Sequence, residues 1–303
     1  METGKQWKGR TGGGNFGLRF LISTLSAMPL WCAYLLLEVG LPFHLLFNPR
    51  YFRPTRHYFS RRLGYGRFAA WRAAYATHRQ FGRMMFDRFR FFRSGGKGYT
   101  VRVEDEDLIR KLASSCGGLV IGGSHVGSME MAGYMLGLKE LPINAIVFGG
   151  ENAYLQQWRR GVLGEGGVKM IPVSADLSHL FIAKAALDKG ECVSMPCDRV
   201  YGSNKCAEVD FLGAKASFPI GAFTLAAQLE KEMVLLFCMK EGRRGYNVIT
   251  RHITVDRVGK GSRKIALELV EKYAEVLEEI VRRYPTQWFN FYEFWKEDGD
   301  NRN

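Results

Sequence analysis

The sequence predicts an α/β protein: a mixed central sheet flanked by helices, preceded by an N-terminal membrane-associated helical segment. Three observations predict it. An apolar stretch of membrane length lies near the amino end. A segment in which arginines alternate with aromatic residues at helical spacing follows it. From about Tyr99 onward, short apolar runs alternate with amphipathic stretches, the pattern of strands and helices layered about one sheet. The chain divides accordingly into 1–98 and 99–303. Its 303 residues can bury a full core, and an apolar content of 47% excludes a disordered chain.

The amino-terminal element is 20-FLISTLSAMPLWCAYLLLEVGLPFHLLF-47. Phe20 to Leu37 carries no charge over 18 residues, at the lower limit for a spanning helix, which needs roughly 20. Pro29, Glu38, Pro42 and His44 interrupt the longer run. No small-residue cleavage site follows, so the stretch is not read as a signal peptide. Whether it spans the bilayer or lies in the interface stays open. Trp31, Tyr34 and the pair Tyr51-Phe52 suit a membrane interface, where amphipathic rings settle.

The next element holds most of the charge. Between Arg50 and Lys97 there are 13 basic residues and one acid, Asp87, against a net charge of +13 for the whole chain. Phe68, Trp71 and Tyr75 fall at i, i+3 and i+7, flanked by Arg72 and Arg79. A basic amphipathic helix of this kind lies in a headgroup layer. Arginine and aromatic groups also bind single-stranded nucleic acid. A nucleic-acid module would not be preceded by an apolar segment of membrane length, so membrane phospholipid is the expected partner and nucleic acid is not. Basic residues after such a segment place the remainder of the chain on the cytoplasmic face.

In the body, candidate strands are 99–103, 118–123, 143–148, 168–173, 191–196, 207–212, 233–239 and 246–253. Candidate helices are 128–138, 152–163, 177–189, 219–230 and 262–283. The last keeps Ile265, Leu269, Tyr273, Val276, Leu277 and Ile280 on one stripe. Six cysteines are scattered without a C-x-x-C pair, and the histidines lack metal-ligand spacing, so buried thiols and no metal are expected.

The chemistry concentrates in 120-VIGGSHVGSMEMAGYM-135. In open α/β sheets ligands gather where strands end and helices begin, and the run 118–123 delivers His125 to that edge. Gly122, Gly123 and Gly127 allow a sharp turn and close approach of a substrate. Five residues turn an ideal helix by roughly 500°, so His125 and Glu130 would diverge on one helix. They can meet only with His125 in the loop and Glu130 in the first helical turn, and Ser128 as N-cap would start that helix. A carboxylate behind a histidine fixes its tautomer and stabilises the imidazolium. On spacing alone, a His near a Glu is more often a surface or capping pair than a catalytic one. A nucleophile elbow at Ser124 needs G-x-S-x-G, and 122-GGSHV-126 lacks the last glycine.

The stretch 125-HVGSME-130 resembles the H-x4-(D/E) motif of the lysophospholipid acyltransferase superfamily. Its glutamate form, the GG-ending strand before it, the start 7-WKGRTGGGNFGLRF-20 and the tail 285-PTQWFNFYEFW-295 resemble one branch, the lipid A late acyltransferases (lauroyl/myristoyl acyltransferases) of Gram-negative bacteria, and within it Bacteroides-type members. The resemblance covers nearly the whole chain. It implies an acyltransferase-like α/β/α catalytic domain at the inner membrane. It implies transfer of a fatty acyl group from a thioester, acyl carrier protein or coenzyme A, to a hydroxyl of a lipid A-type glycolipid. No other cofactor is implied. His125 would be the general base and Glu130 its orienting carboxylate, with Gly123 and Ser124 among the substrate-binding residues and backbone N–H groups near the glycine turn as candidate oxyanion donors.

The resemblance also implies an arginine after the second motif, matching Arg159 or Arg160, suited to phosphate by its bidentate fork. The strand 191–196 ends in Asp198-Arg199, where glycerolipid acyltransferases carry F-P-E-G-T. This chain has 218-FPIG-221 instead, later and without the glutamate, which disfavours a glycerolipid acceptor. Asp198 and Arg199 are expected to support the site together. Acyl carrier protein is acidic, and the Arg50–Lys97 segment could meet it as well as lipid. The alternatives are the same fold acting on an amino-acid lipid, polyene pigment lipid or lysophospholipid, and a non-catalytic membrane or nucleic-acid binder.

Overall fold

A computed structural model describes residues 24, 27–115, 117–135, 142–147, 153–165, 167–174, 176, 178–199 and 205–295. The start 7–20, most of 20–29 and the residues Glu151 and Asn152 lie outside the described residues.

Helix α1 (Leu30–Phe47), helix α2 (Pro49–His57), a π-helical turn (Tyr58–Arg62) and the long helix α3 (Arg67–Ser94) form the amino-terminal part. Pro29 occupies the N-cap position of α1, so the described apolar helix begins there. Glu38, Pro42 and His44, expected to interrupt the run, lie inside it. Glu38 is tolerated because α3 answers its charge: Arg83 donates to it at 2.6 Å and Arg79 lies 3.8 Å away. The two helices approach closely at Gly82, where a Cβ would come within 2.5 Å of Leu37 Cδ1.

Next come β1 (Thr100–Val103), α4 (Glu106–Ser115), β2 (Leu119–Gly123), α5 (Met129–Met135) and β3 (Ile143–Val147). The chain continues through α6 (Ala153–Glu165), β4 (Val168–Pro172), α7 (Ser178–Asp188) and β5 (Cys192–Pro196). It ends with β6 (Cys206–Phe211), β7 (Ala214–Pro219), α8 (Gly221–Gln228), β8 (Glu232–Glu241), β9 (Gly245–Ile253) and α9 (Ser262–Arg283). Seven strands make the central sheet in the order β1-β9-β8-β2-β5-β3-β4. Neighbours are parallel except for the antiparallel pair β8–β9. The mixed α/β sheet expected from the sequence is therefore present.

Both faces of the sheet are buried, as β-α-β crossovers require. Along β2, Val120 enters one core while Leu119 and Ile121 enter the other. The first core gathers α7, α8, α9, the β6–β7 hairpin and the aromatic tail, and the second gathers Met84, Phe91 and Phe92 of α3 with α4 and α5.

Two elements go beyond the sequence expectation. β7, which falls between the candidate strand 207–212 and the candidate helix 219–230, pairs antiparallel with β6 across Leu212-Gly213, both at positive φ (53° and 76°) as a tight hairpin turn needs. Its residues AKASFP carry little β propensity, and the pairing decides its state. Helix α4 is the second.

Asp87, the lone acid of the basic segment, is fully buried in α3. Its Oδ1 accepts from Tyr34 at 2.8 Å and from Tyr99 at 3.3 Å, and its Oδ2 accepts from Tyr246 at 2.6 Å and from the Lys240 ammonium. One carboxylate thus ties α1, α3, the start of β1, β8 and β9 together.

Candidate active site

β2 runs mid-sheet between β8 and β5 and ends at Gly123. Gly123 is buried, and a Cβ there would sit 1.9 Å from Met129 Sδ, so this glycine lets the first residue of α5 pack against the strand end. Ser124 is buried beside Tyr273 of α9. The loop then turns at Gly127 (φ +66°), where a Cβ would lie 2.1 Å from the Cys238 carbonyl oxygen. Only glycine fits both the backbone angle and that approach.

The loop is held on two sides. Gly127 N–H donates to the Gln287 carbonyl at 2.9 Å, and Phe289 N–H donates to the His125 carbonyl at 2.9 Å. Ser128 N–H donates to the Cys238 carbonyl of β8 at 2.8 Å. The tail 285–295 is therefore part of the site. Buried Trp288 pairs with Val126 along the backbone and packs on Tyr58, Phe211, Phe294 and Trp295.

His125 meets Asp198. Its Nδ1 lies 2.8 Å from Asp198 Oδ1, and its backbone N–H donates to Oδ2 at 2.7 Å. Cys197 N–H bonds the Gly123 carbonyl at 2.8 Å, which carries the β2–β5 pairing one step further and sets Asp198 beside the loop. The Asp198 side chain is 1% exposed and that of His125 34%. Burial pushes the Asp198 carboxyl up, but the attraction of His125, its two hydrogen bonds and Arg199 prevail, and the net shift is downward. An ionised carboxylate only accepts, so Nδ1 is the donor. Nε2 makes no hydrogen bond among the described residues and belongs to the exposed side of the ring.

Glu130 does not back His125, as the sequence led one to expect. Its Oε2 accepts from Arg88 of α3 at 2.9 Å and its Oε1 from Arg159 of α6 at 2.7 Å. Burial raises the Glu130 carboxyl, yet Arg88 and Arg159 together hold it below the usual range. The reason for the correction is competition: two guanidiniums take both oxygens, while Asp198 reaches the histidine from the neighbouring strand. Three of the loop amides are committed elsewhere, since those of His125, Gly127 and Ser128 donate to Asp198, Gln287 and Cys238.

Arg159 is buried against Glu130, and Arg160 is exposed on α6. Arg199 does not pair mainly with Asp198. Its Nη2 donates to the Phe289 carbonyl at 2.6 Å, and the guanidinium lies over Tyr292. Arg88 escaped the sequence reading because nothing in its spacing separates it from the other basic residues of its segment. Among the described residues, no group of three or more His, Cys, Asp or Glu side chains converges as a metal site would.

None of the curated proteins matches this chain. The family model of bacterial lipid A biosynthesis acyltransferases matches residues 73–297, from within α3 through the His125 loop, Glu130, Arg159 and Asp198 to the tail. That match takes in well over half of the sequence, and the chain belongs to the bacterial lipid A biosynthesis acyltransferase family, whose members transfer acyl groups to a lipid acceptor.

Proposed function

We propose that the protein is a membrane-associated acyltransferase that moves a fatty acyl chain from an acyl thioester, acyl carrier protein or coenzyme A, to a hydroxyl of a lipid A-type glycolipid. The observation that carries the mechanism is the His125–Asp198 contact of 2.8 Å. His125 Nε2 takes the proton of the acceptor hydroxyl as its oxygen attacks the thioester carbonyl. Asp198 stabilises the imidazolium through Nδ1. As the C–S bond breaks, the thiolate recovers the proton and the ester C–O bond remains. General-base assistance of this kind contributes on the order of 10²–10⁴-fold. No acyl-enzyme is required, because the thioester is already activated. Two guanidiniums on Glu130 leave a surplus positive charge, which together with Arg160 suits an acceptor bearing phosphate.

Membrane association has its own support. α1 is long and apolar enough to cross a membrane by length and composition, and Trp31, Leu35, Leu36, Val39, Phe43, Leu46 and Phe47 along it are exposed. At the start of α3, Phe68 (72% exposed) and Trp71 stand out beside exposed Arg67 and Arg72. Such a surface suits headgroups on the cytoplasmic face of the inner membrane, where thioester donors are found. It also suits an acidic carrier protein.

His125→Ala is expected to abolish acyl transfer in detergent extracts, and Asp198→Asn to lower it on the order of 10²–10⁴-fold, both variants remaining in the membrane fraction. Wild-type turnover by His125→Ala would refute the mechanism. Mass spectra of lipids from a deletion strain test the acceptor: lipid A short of one acyl chain supports the reading, and unchanged lipid A overturns it.

A further inference from the structure

We propose that Arg88 is a positioning residue of the active site, so that the long helix of the amino-terminal part belongs to the catalytic machinery as well as to the membrane-facing surface. The inference rests on the acyltransferase reading above. Arg88 is one of 13 basic residues between Arg50 and Lys97, yet its position is unlike that of its neighbours. Arg83 and Arg79 meet Glu38 on α1, and Arg50, Arg53, Arg61, Arg67, Arg72 and Arg93 are exposed. Arg88 reaches inward to Glu130, and both side chains are mostly buried.

Three consecutive residues of α3 define its place. Asp87 is gripped by Tyr34, Tyr99, Lys240 and Tyr246, which fixes the rotation and height of the helix against β8 and β9. The next residue points about 100° further round the helix, and Arg88 there takes one oxygen of Glu130. Phe89 packs on Trp158 of α6, the residue before Arg159, with ring centroids 5.2 Å apart. The stretch 87-DRF-89 is therefore matched step by step to 158-WR-159, with Glu130 between the two arginines.

Glu130 opens α5 directly after the His125 loop, and Ser128 at its base is bonded to Cys238. Without Arg88, Glu130 would be drawn toward Arg159, the cation that remains. That drift would move the anion-facing side of the site relative to His125 while leaving the His125–Asp198 contact in place. Misplacement by about 1 Å can lower a rate on the order of 10²-fold.

The test is kinetic, on the full-length enzyme in detergent with an acyl thioester and a lipid A-type acceptor. Arg88→Gln should lower kcat on the order of 10²-fold at unchanged KM for the thioester, and Arg88→Lys should restore part of it. Adding Glu130→Gln to Arg88→Gln should cause little further loss, because both act on one unit. Wild-type kcat in Arg88→Gln, or losses that multiply in the double variant, would overturn the proposal. Where Arg88→Gln fails to fold, Arg88→Lys decides alone: a reduced kcat at held KM supports the role and a wild-type kcat refutes it. His125→Ala in the same assay keeps the two readings apart. Its inactivity upholds the mechanism whichever way Arg88 falls, and its full activity removes the mechanism itself.

Discussion

At the scale of residues, two carboxylates, Asp198 buried and Glu130 mostly so, divide the labour near His125. Asp198 holds the imidazole and Glu130 holds two arginines. Both are shifted downward, against the burial that alone would raise them. A group whose folded pKa is depressed adds stability above its unfolded pKa, and that stability is lost as the pH falls through the folded value. Glu130→Gln should therefore cost about 3 kcal/mol at pH 7, where it leaves Arg88 and Arg159 without their anion. The gap to wild type should begin to narrow once the pH falls below about 4, the ordinary carboxylate value, and close only below the depressed folded value of Glu130, where the carboxylate of the wild type also becomes neutral. Denaturant unfolding in detergent at pH 7 and pH 3 measures both gaps. An undiminished gap at pH 3 would show that packing, not charge, makes the difference.

At the scale of elements, the His125 loop is a bend clamped between β8 and the tail. Gly127 makes the clamp possible, with φ at +66° and the Cys238 oxygen 2.1 Å from where a Cβ would stand. Gly127→Ala should destabilise the protein by more than the roughly 1 kcal/mol of a simple glycine effect, because the Cys238 carbonyl is backbone and cannot move aside. Thermal unfolding checks the stability, and an activity loss larger than the folded fraction explains would show that the loop itself has shifted. The aromatic tail belongs to the same element. Read along the chain, it is a run of Trp, Phe and Tyr; folded, it supplies the Gln287 and Phe289 backbone groups that hold the loop.

At the scale of the whole molecule, the Asp87 cluster joins the amino-terminal helices to the sheet. Lys240 is its buried cation, and Gln287 brackets the Lys240 backbone on both its N–H and its carbonyl. Lys240→Met should leave Asp87 with neutral partners only and cost about 3–5 kcal/mol, a fall in Tm of about 10 °C for a protein of this size. The double variant Asp87→Asn with Lys240→Met should recover part of that loss, since neither then leaves an unpaired buried charge. Additive losses in a thermal melt would show that the two residues do not act as a pair.

Much was legible in the sequence because it depends on local pattern. Short apolar runs marked eight of the nine strands among the described residues, and the glycines around His125 marked the bend. The motif, the amino end and the aromatic tail were enough to point to the family. Local pattern also determined that His125 sits in a loop at a strand end and Glu130 in the first helical turn. It could not assign partners. A carboxylate five residues away looks nearer than one 73 residues away, but β2 and β5 are adjacent strands and put Asp198 against the ring. Asp87 read as a lone acid among arginines, although its cation comes from β8, 153 residues on. Which carboxylate meets which cation is settled by strand order and helix packing, and these bring together residues whose separation along the chain carries no signal.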